Sequence, residues 1–368
     1  MKPSGNFHPI RYIFKLMRKF IRNSKLLDFL LRIRTNYRLF LWKVEYALFS
    51  SIRRSKKLCV IYIGETKAGF FACFLRILSG IAYADRHAMI PVVDMKNHYN
   101  AYLEEGELGK VNTWEYYFRQ PGGISLDEAL TSSRTVSRNI RTFPSPRVDH
   151  SLFYNIDGQL DYWRYICRKY IVPSLAVQNE IDKFKKKFTG KRVLGVSLRG
   201  TDYVVLKLHD HPVQPESETV ITKAVEAMRE NNFDALYLST EDKNIVARFQ
   251  EVFGEKLLLH DEKYVDFDYN SDKWITHYST NREHDKYLMG FKYVVSKLLL
   301  MECAGLITTM TCGTTALMCM SQEWEYLYVL IWDITVRSLT KFRFVAIFSQ
   351  LTFSGLVAQW IERLPPKQ

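Results

Sequence analysis

The chain is expected to fold as a two-lobed α/β protein with parallel sheets, preceded by a basic helical leader. Three observations predict this. From residue 58 to residue 330, short apolar runs alternate with helix-length amphipathic segments, the pattern of strand–helix–strand units. Strands joined through helices must pair in parallel and lie between helical layers, so they read as continuous apolar runs. The 368 residues, 47% of them hydrophobic with 23 Phe and 22 Tyr, exceed one typical domain and suffice for two cores.

The leader is residues 1–57. The formal net charge is +13, and all of the excess sits there: 15 Lys and Arg against 2 Asp and Glu, leaving 37 of each sign in the rest. A nucleic-acid enzyme usually carries its basic stripe on the folded body, so no nucleic-acid partner is expected. Residues 10–57 lack proline and glycine. Ile13, Met17, Phe20 and Ile21 recur at helical spacing, as do Leu27, Leu30 and Leu31, among Arg18, Lys19, Arg22, Arg32 and Arg34. Basic amphipathic helices of this kind attach to anionic membrane surfaces; the plain alternative is a solvated helix packed on the body. No apolar run reaches the ~18–20 residues of a spanning helix, and no cleavable signal pattern is present. The six cysteines form no CxxC pair or zinc-like cluster, so reduced, buried thiols in the cytosol are expected.

The first lobe is placed at 58–188. Leu58–Ile63 reads as a buried strand, Gly64–Gly69 as a turn, Phe70–Asp85 as a helix and Met89–Asp94 as a second strand. Residues 96–125 read as irregular and aromatic, with Trp114-Glu-Tyr-Tyr-Phe118 at their centre. Residues 150–188 read as largely helical, closing on the basic stretch Lys183–Lys187. The second lobe is placed at 189–331. Its strands are Arg192–Leu198, Ala235–Ser239, Lys256–His260, Gly305–Thr308 and Tyr326–Leu330. Its helices are 217–230, 244–252, 285–302 and 316–321, the last opened by a turn at Thr311–Thr315. The tail, 332–368, turns apolar and basic where a polar loop and a closing helix are expected. Gly355–Leu364 resembles translated non-coding sequence, so the tail reads as a frameshifted or read-through end, with an amphipathic C-terminal helix as the alternative.

Ligands of open α/β sheets bind at the carboxyl ends of the strands, and three such ends carry chemistry. In Ser197-Leu-Arg199-Gly-Thr-Asp202-Tyr203, an arginine suits bidentate contact with phosphate, and Gly200 admits close backbone approach; an Arg199–Asp202 pair stabilising the loop is the structural alternative. In Ser239-Thr240-Glu241-Asp242, the hydroxyl and carboxylates either cap the next helix or accept hydrogen bonds from a nucleoside. In Thr311-Cys312-Gly313-Thr314-Thr315, a turn opening a helix presents amides and the positive end of a dipole to an anion, or is an ordinary cap. Together with Arg199 this turn suggests a diphosphate. His209-Asp-His211-Pro-Val-Gln214-Pro215 is a rigid loop at the same edge. Its two histidines lack a third partner at metal spacing, and Asp266-Phe-Asp268, a superficial match to a metal-binding DxD, reads in its acidic, tyrosine-rich loop as solvated or substrate-facing, so no metal is expected. The chain contains no GxxxxGK[ST], GxGxxG or GxSxG sequence, which removes P-loop, nicotinamide and α/β-hydrolase chemistry.

At these residues the chain resembles a family. The ordered set Ser197–Tyr203, His211-Pro-Val-Gln-Pro215, Ser239–Asp242 and Cys312–Thr315 resembles bacterial fucosyltransferase-like proteins of polysaccharide gene clusters. These are distant relatives of the α1,6- and protein O-fucosyltransferases. Gly69-Phe-Phe71, Tyr83-Ala-Asp85, Ile90–Asp94 and Trp114–Phe118 extend the resemblance over residues 58–331. It implies a GT-B fold of two Rossmann-like lobes, an inverting transfer without metal or other cofactor, and GDP-fucose as donor, held by the second lobe. Arg199 matches the arginine that grips the β-phosphate, Thr311–Thr315 the phosphate or fucose turn, and Thr240, Glu241 and Asp242 the nucleoside segment. His211 and Gln214 fall in the donor loop. The chain departs from the pattern at Ser197, where the family has histidine, and at Gly200, where a second arginine is frequent. The acceptor implied is a glycan or lipid-linked oligosaccharide of surface polysaccharide synthesis. With the basic leader, this places the protein in the cytoplasm, peripheral on the inner membrane.

Arg199 and the helix amides would stabilise the charge that builds on the departing diphosphate. A base for the acceptor hydroxyl, worth roughly 10²–10⁴-fold, is sought in Glu65, after the first strand, or in Asp202. Glu65 is otherwise an exposed loop carboxylate. A different donor, such as a UDP-sugar, and a membrane-associated scaffold without activity are the competing readings.

Overall fold

The computed structural model describes residues 57–141, 148, 159–200, 214–260, 282–321 and 324–331, and the backbone of 344–349. The leader apart from Lys57, and the tail apart from 344–349, lie outside these residues. Among them no helix is long and apolar enough to cross a membrane.

The first sheet begins with β1 (Leu58–Tyr62), an apolar run that is almost wholly buried. The chain turns at Gly64, where φ is +76° and a residue without Cβ is favoured, and enters α1 (Phe70–Arg86). This helix is buried on most of its circumference, so its sequence is apolar nearly throughout rather than striped. β2 (Ile90–Asp94) returns parallel to β1. Then come α2 (Thr113–Tyr117), α3 (Leu126–Thr131), which Ser125 caps by accepting from the Glu128 N–H, and β3 (Thr135–Asn139). The sheet order is β2-β1-β3, all parallel. Two helices follow, α4 (Gln159–Tyr170) and α5 (Leu175–Lys185). The region expected to be largely helical is thus two helices parted at Pro173, and Ser174 caps the second through the Val177 N–H.

The second sheet is built from β4 (Val193–Ser197), α6 (Ser217–Glu230), β5 (Ala235–Ser239), α7 (Lys243–Phe253), β6 (Leu257–Leu259), α8 (Asp285–Leu299), β7 (Gly305–Thr309), α9 (Cys312–Met320) and β8 (Tyr326–Ile331). β4, β5 and β7 are buried at every position, as central parallel strands must be. The order is β6-β5-β4-β7-β8-β9, with β9 (Phe344–Ser349) antiparallel to β8. The five strands β6, β5, β4, β7 and β8 pair in parallel as expected, and the last strand lies within the tail. The chain builds outward from β4 through β5 to β6, then crosses back to lay β7 on the other side of β4. The reversal between β4 and β7 is the topological switch point at which such sheets bind ligands.

Helix α8 joins the sheets. Its first-turn amides have no carbonyls within the helix; Glu104 Oε1 accepts from Lys286 N at 2.8 Å and Tyr287 N at 3.3 Å. The Tyr117 hydroxyl donates to Tyr287 O at 3.2 Å. A Cβ on Gly290 would stand 2.1 Å from Tyr117 Oη and 2.7 Å from Tyr102 Cδ1, so only glycine permits this approach. Around the contact, Phe70, Phe71, Phe74, Trp114, Tyr117 and Phe118 form a buried aromatic cluster. Each such ring contributes about 1.5–3 kcal/mol when buried.

Candidate functional site

The carboxyl edge of the second sheet carries a row of hydroxyls. Ser239, Ser197 and Thr308 are register partners on the adjacent strands β5, β4 and β7. All three are buried, so each hydroxyl must find a partner. Ser239 Oγ lies 2.7 Å from Ser296 Oγ, Ser197 Oγ accepts from Lys297 Nζ at 2.8 Å, and Thr308 Oγ1 lies 2.9 Å from Thr314 Oγ1. The first two partners are neighbours on α8 and the third is on α9.

One step beyond this row the chain reaches Arg199 and Glu241. Arg199 Nε is 3.7 Å from Glu241 Oε1, both side chains about one-fifth exposed, and Gly200 N donates to the same oxygen at 3.2 Å. Asp242 is buried and caps α7, its Oδ1 accepting from Asn244 N at 2.8 Å and Ile245 N at 3.4 Å. Thr240 is buried and accepts from Asp242 N. A Cβ on Gly200 would come within 2.3 Å of Asp242 Oδ2. A side chain at position 200 would therefore crowd this cap.

At the end of β7, helix α9 starts at Cys312, four residues before the expected position. Thr311 caps it: Thr311 Oγ1 accepts from Thr314 N at 3.1 Å. The Thr314 hydroxyl donates to Thr309 O at 2.6 Å and the Thr315 hydroxyl to Thr311 O at 3.0 Å. Both side chains are fully buried, so they shape the turn from within. Cys312 is half-buried. The amides of Cys312 and Gly313, with no carbonyl four residues back inside the helix, head a dipole that favours an anion. Gln214 reaches the same edge, where Thr309 Oγ1 donates to its Oε1 at 2.6 Å.

Lys297 carries no functional signal in the sequence. In the run Tyr293–Leu300 it looks like the polar face of a helix, yet only 6% of it is exposed. Its ammonium lies beneath the α9 turn: Lys297 Cε is 3.5 Å, and Tyr293 Oη 3.1 Å, from where a Gly313 Cβ would be. No sequence signal reveals this, because it depends on which turn of α8 meets β4.

The first lobe contributes α1 and Tyr102. Phe71 packs edge-on against Tyr293, ring centroids 5.3 Å apart. The Tyr102 hydroxyl accepts from Phe70 N at 2.6 Å. Burial holds this phenol well above its ordinary value, and Arg199 is near enough to counteract part of that rise. Burial pushes the Cys73 thiol up to about 11; Arg76 and Arg141 oppose this and Cys312 adds to it. Glu65 is exposed just past the carboxyl end of β1, the central strand between β2 and β3. Asp202, His209, His211, Asp266 and Asp268 lie outside the described residues. Among those described, no group of three or more His, Cys, Asp or Glu side chains forms a cation cage, and all six cysteines are free thiols.

No protein-family model matches the chain, and no curated protein sequence matches it. Solved structures do. One is NodZ alpha-1,6-fucosyltransferase soaked with GDP-fucose, at 16% identity and a TM-score of 0.43, covering 78% of this chain and 99% of that one. Fucosyltransferase NodZ from Bradyrhizobium has 15% identity and a TM-score of 0.43, over 75% and 96% of the two chains. POFUT1 in complex with GDP has 10% identity and a TM-score of 0.43, over 77% and 100%. Across most of its length the chain is thus similar to solved structures of fucosyltransferases.

Proposed function

We propose that the chain is an inverting glycosyltransferase that moves fucose from GDP-fucose to a glycan acceptor. The observation that supports this reading is that Arg199 and the α9 amino terminus follow the adjacent strands β4 and β7, either side of the switch point. A guanidinium and oriented amides on neighbouring strand ends fit a diphosphate, and the ordered motifs around them resemble those of GDP-fucose enzymes. As the glycosyl bond breaks, negative charge grows on the leaving diphosphate, and preorganised donors stabilise it without reorganisation. Glu241 keeps Arg199 at the strand end, and Gln214, Thr240 and Asp242 frame the nucleoside side. Glu65, at the carboxyl end of β1, serves as base for the acceptor hydroxyl, with Asp202 as the other candidate. The basic leader holds the enzyme near a lipid-linked acceptor; removing residues 2–57 should abolish sedimentation with anionic vesicles, and unchanged sedimentation would sink that part.

The donor is tested by melting temperature with GDP, UDP and GDP-fucose, in wild type and Arg199→Ala. A ligand at 100 times its Kd adds about 2.7 kcal/mol to the native state. Stabilisation by GDP and GDP-fucose that disappears in the variant is expected. Stabilisation by UDP alone overturns the donor, and none with any nucleotide overturns the enzyme reading.

A further inference from the structure

The first sheet carries, at its own carboxyl edge, an aromatic and polar group that the donor side of the protein leaves unused. Tyr62 ends β1, the central strand, and His98 stands in the loop that follows β2. Their rings stack, with centroids 4.6 Å apart and planes 13° from parallel, and both side chains are half-buried. Among the described residues neither ring has another partner: the Tyr62 hydroxyl and both His98 ring nitrogens make no hydrogen bond. Glu65, exposed in the turn after β1, has neither a hydrogen bond nor an ion pair.

The loop that presents this pair is built, not loose. Asp94, buried at the end of β2, accepts from Lys96 N at 2.9 Å and Asn97 N at 3.0 Å through Oδ1, and from Asn97 Nδ2 at 3.0 Å through Oδ2. Asn100, only 2% exposed, donates to Met95 O and His98 O and accepts from Tyr102 N and the Thr113 hydroxyl. Thr66 N donates to Tyr99 O at 2.9 Å, which ties the His98 loop to the turn holding Glu65. That turn leads into α1, whose Phe71 packs on Tyr293, the residue under the Gly313 turn. Through α1, the loops at the carboxyl edge of the first sheet thus adjoin the donor turn.

A sugar ring offers two kinds of surface at once, patches of C–H and hydroxyls in fixed directions. Tyr and His each present an apolar body and a polar tip, and sites for small molecules pair aromatic walls with a few placed polar groups. A preorganised loop loses little entropy when such a ligand binds. We propose that Tyr62 and His98 form the acceptor subsite: the exposed part of the stacked rings takes the C–H surface of a hexose unit, and their hydroxyl and nitrogens, with Glu65, take its hydroxyls. This rests on the glycosyltransferase reading above and adds to it the residues that hold the acceptor sugar.

The test is saturation-transfer NMR on the full-length protein with the methyl glycosides of glucose, galactose, mannose and N-acetylglucosamine, irradiating the protein's aromatic protons. At least one glycoside is expected to take up saturation at its ring C–H protons. Its Kd should rise about tenfold in His98→Ala, equivalent to roughly 1.4 kcal/mol. His98→Phe, which keeps a ring on Tyr62, should recover most of that loss. The Kd for GDP by calorimetry should stay within about twofold in both variants, since the donor is held elsewhere. Uptake by none of these glycosides overturns the proposal, as does glycoside binding at wild-type strength in His98→Ala. A parallel loss of glycoside and GDP in His98→Ala also overturns it, because it marks a residue that shapes the fold rather than one that meets the sugar. The sugar titration contains no nucleotide. Wild type that binds a glycoside and no GDP therefore sinks the donor reading alone, and wild type that binds GDP and no glycoside sinks the acceptor subsite alone.

Discussion

Gly200→Ala is a one-carbon change whose consequence follows from the geometry of the β4 strand end. The backbone at this glycine is outside the left-handed region, so alanine meets no conformational objection there. The objection is steric. The new Cβ would lie 2.3 Å from Asp242 Oδ2 and 3.0 Å from both Asp242 Cβ and Cγ. Asp242 is buried and bound at Oδ1 to the first amides of α7, so it cannot swing aside and keep its cap. Overpacking of this kind costs about 1–3 kcal/mol, and loss of an N-cap a further 0.5–2 kcal/mol. The expected total is about 2–4 kcal/mol by urea unfolding. The decisive comparison is a double-mutant cycle. Asp242→Gly removes all three clashing atoms, and glycine is a tolerable cap at a loss of only a few tenths of a kcal/mol. In that background Gly200→Ala should cost less than ~0.5 kcal/mol, giving a coupling energy above about 1.5 kcal/mol. Additive costs would refute the packing argument.

Gly290→Ala should destabilise by about 1–3 kcal/mol, although alanine is the better helix former by up to ~1 kcal/mol, because its Cβ meets the Tyr117 hydroxyl. Urea unfolding at or above wild-type stability would contradict this, and Tyr117→Phe should restore part of the loss. Burial pushes both the Cys59 and Cys73 thiols up to about 11, against 9.0 for an unperturbed thiol. Between those values the folded chain holds protons that the unfolded chain has released, so their stabilisation is complete below pH 9 and declines as pH rises towards 11. Melting temperature should fall across that window, and less steeply in a Cys59→Ala/Cys73→Ala variant; identical slopes would exclude the thiols as the cause.

The elements legible in the sequence were those whose pattern is local. β1, β2, β4, β5 and β7 are buried on both faces, so their apolar runs stand out. α6 and α8 begin where expected, since amphipathic spacing and a following strand delimit them. β3, Thr-Val-Ser-Arg-Asn, is an edge strand that is half-buried or exposed along its length and carries no apolar run to betray it. α9 starts four residues before its sequence pattern because Gly313, Thr314 and Thr315 are weak helix formers and the packing of buried Thr314 and Thr315 overrides that preference. At the site, Arg199 and the Thr311–Thr315 turn were visible as residues at strand ends. Their neighbourhood was not, because it depends on β7 lying next to β4 rather than beyond β6. Nor was the division of labour within Thr240–Asp242, where Asp242 turns to α7 and Glu241 to Arg199. Lys297 is the extreme case: its neighbour Ser197 is a hundred residues away in sequence.

The row Ser239, Ser197 and Thr308 bears on how finely the far end of the sheet is aligned. Apolar side chains tolerate lateral slippage, because dispersion is indifferent to direction. A hydroxyl pair at 2.7–2.9 Å is not, and a buried one left open is penalised. Ser296 and Lys297 are consecutive on α8, so sliding that helix by a single residue would break two bonds together. The greasy middle of the lobe supplies adhesion; the hydroxyls act as indexing pins, fixing the helices against the sheet to within a fraction of an ångström at the edge where a substrate would be read.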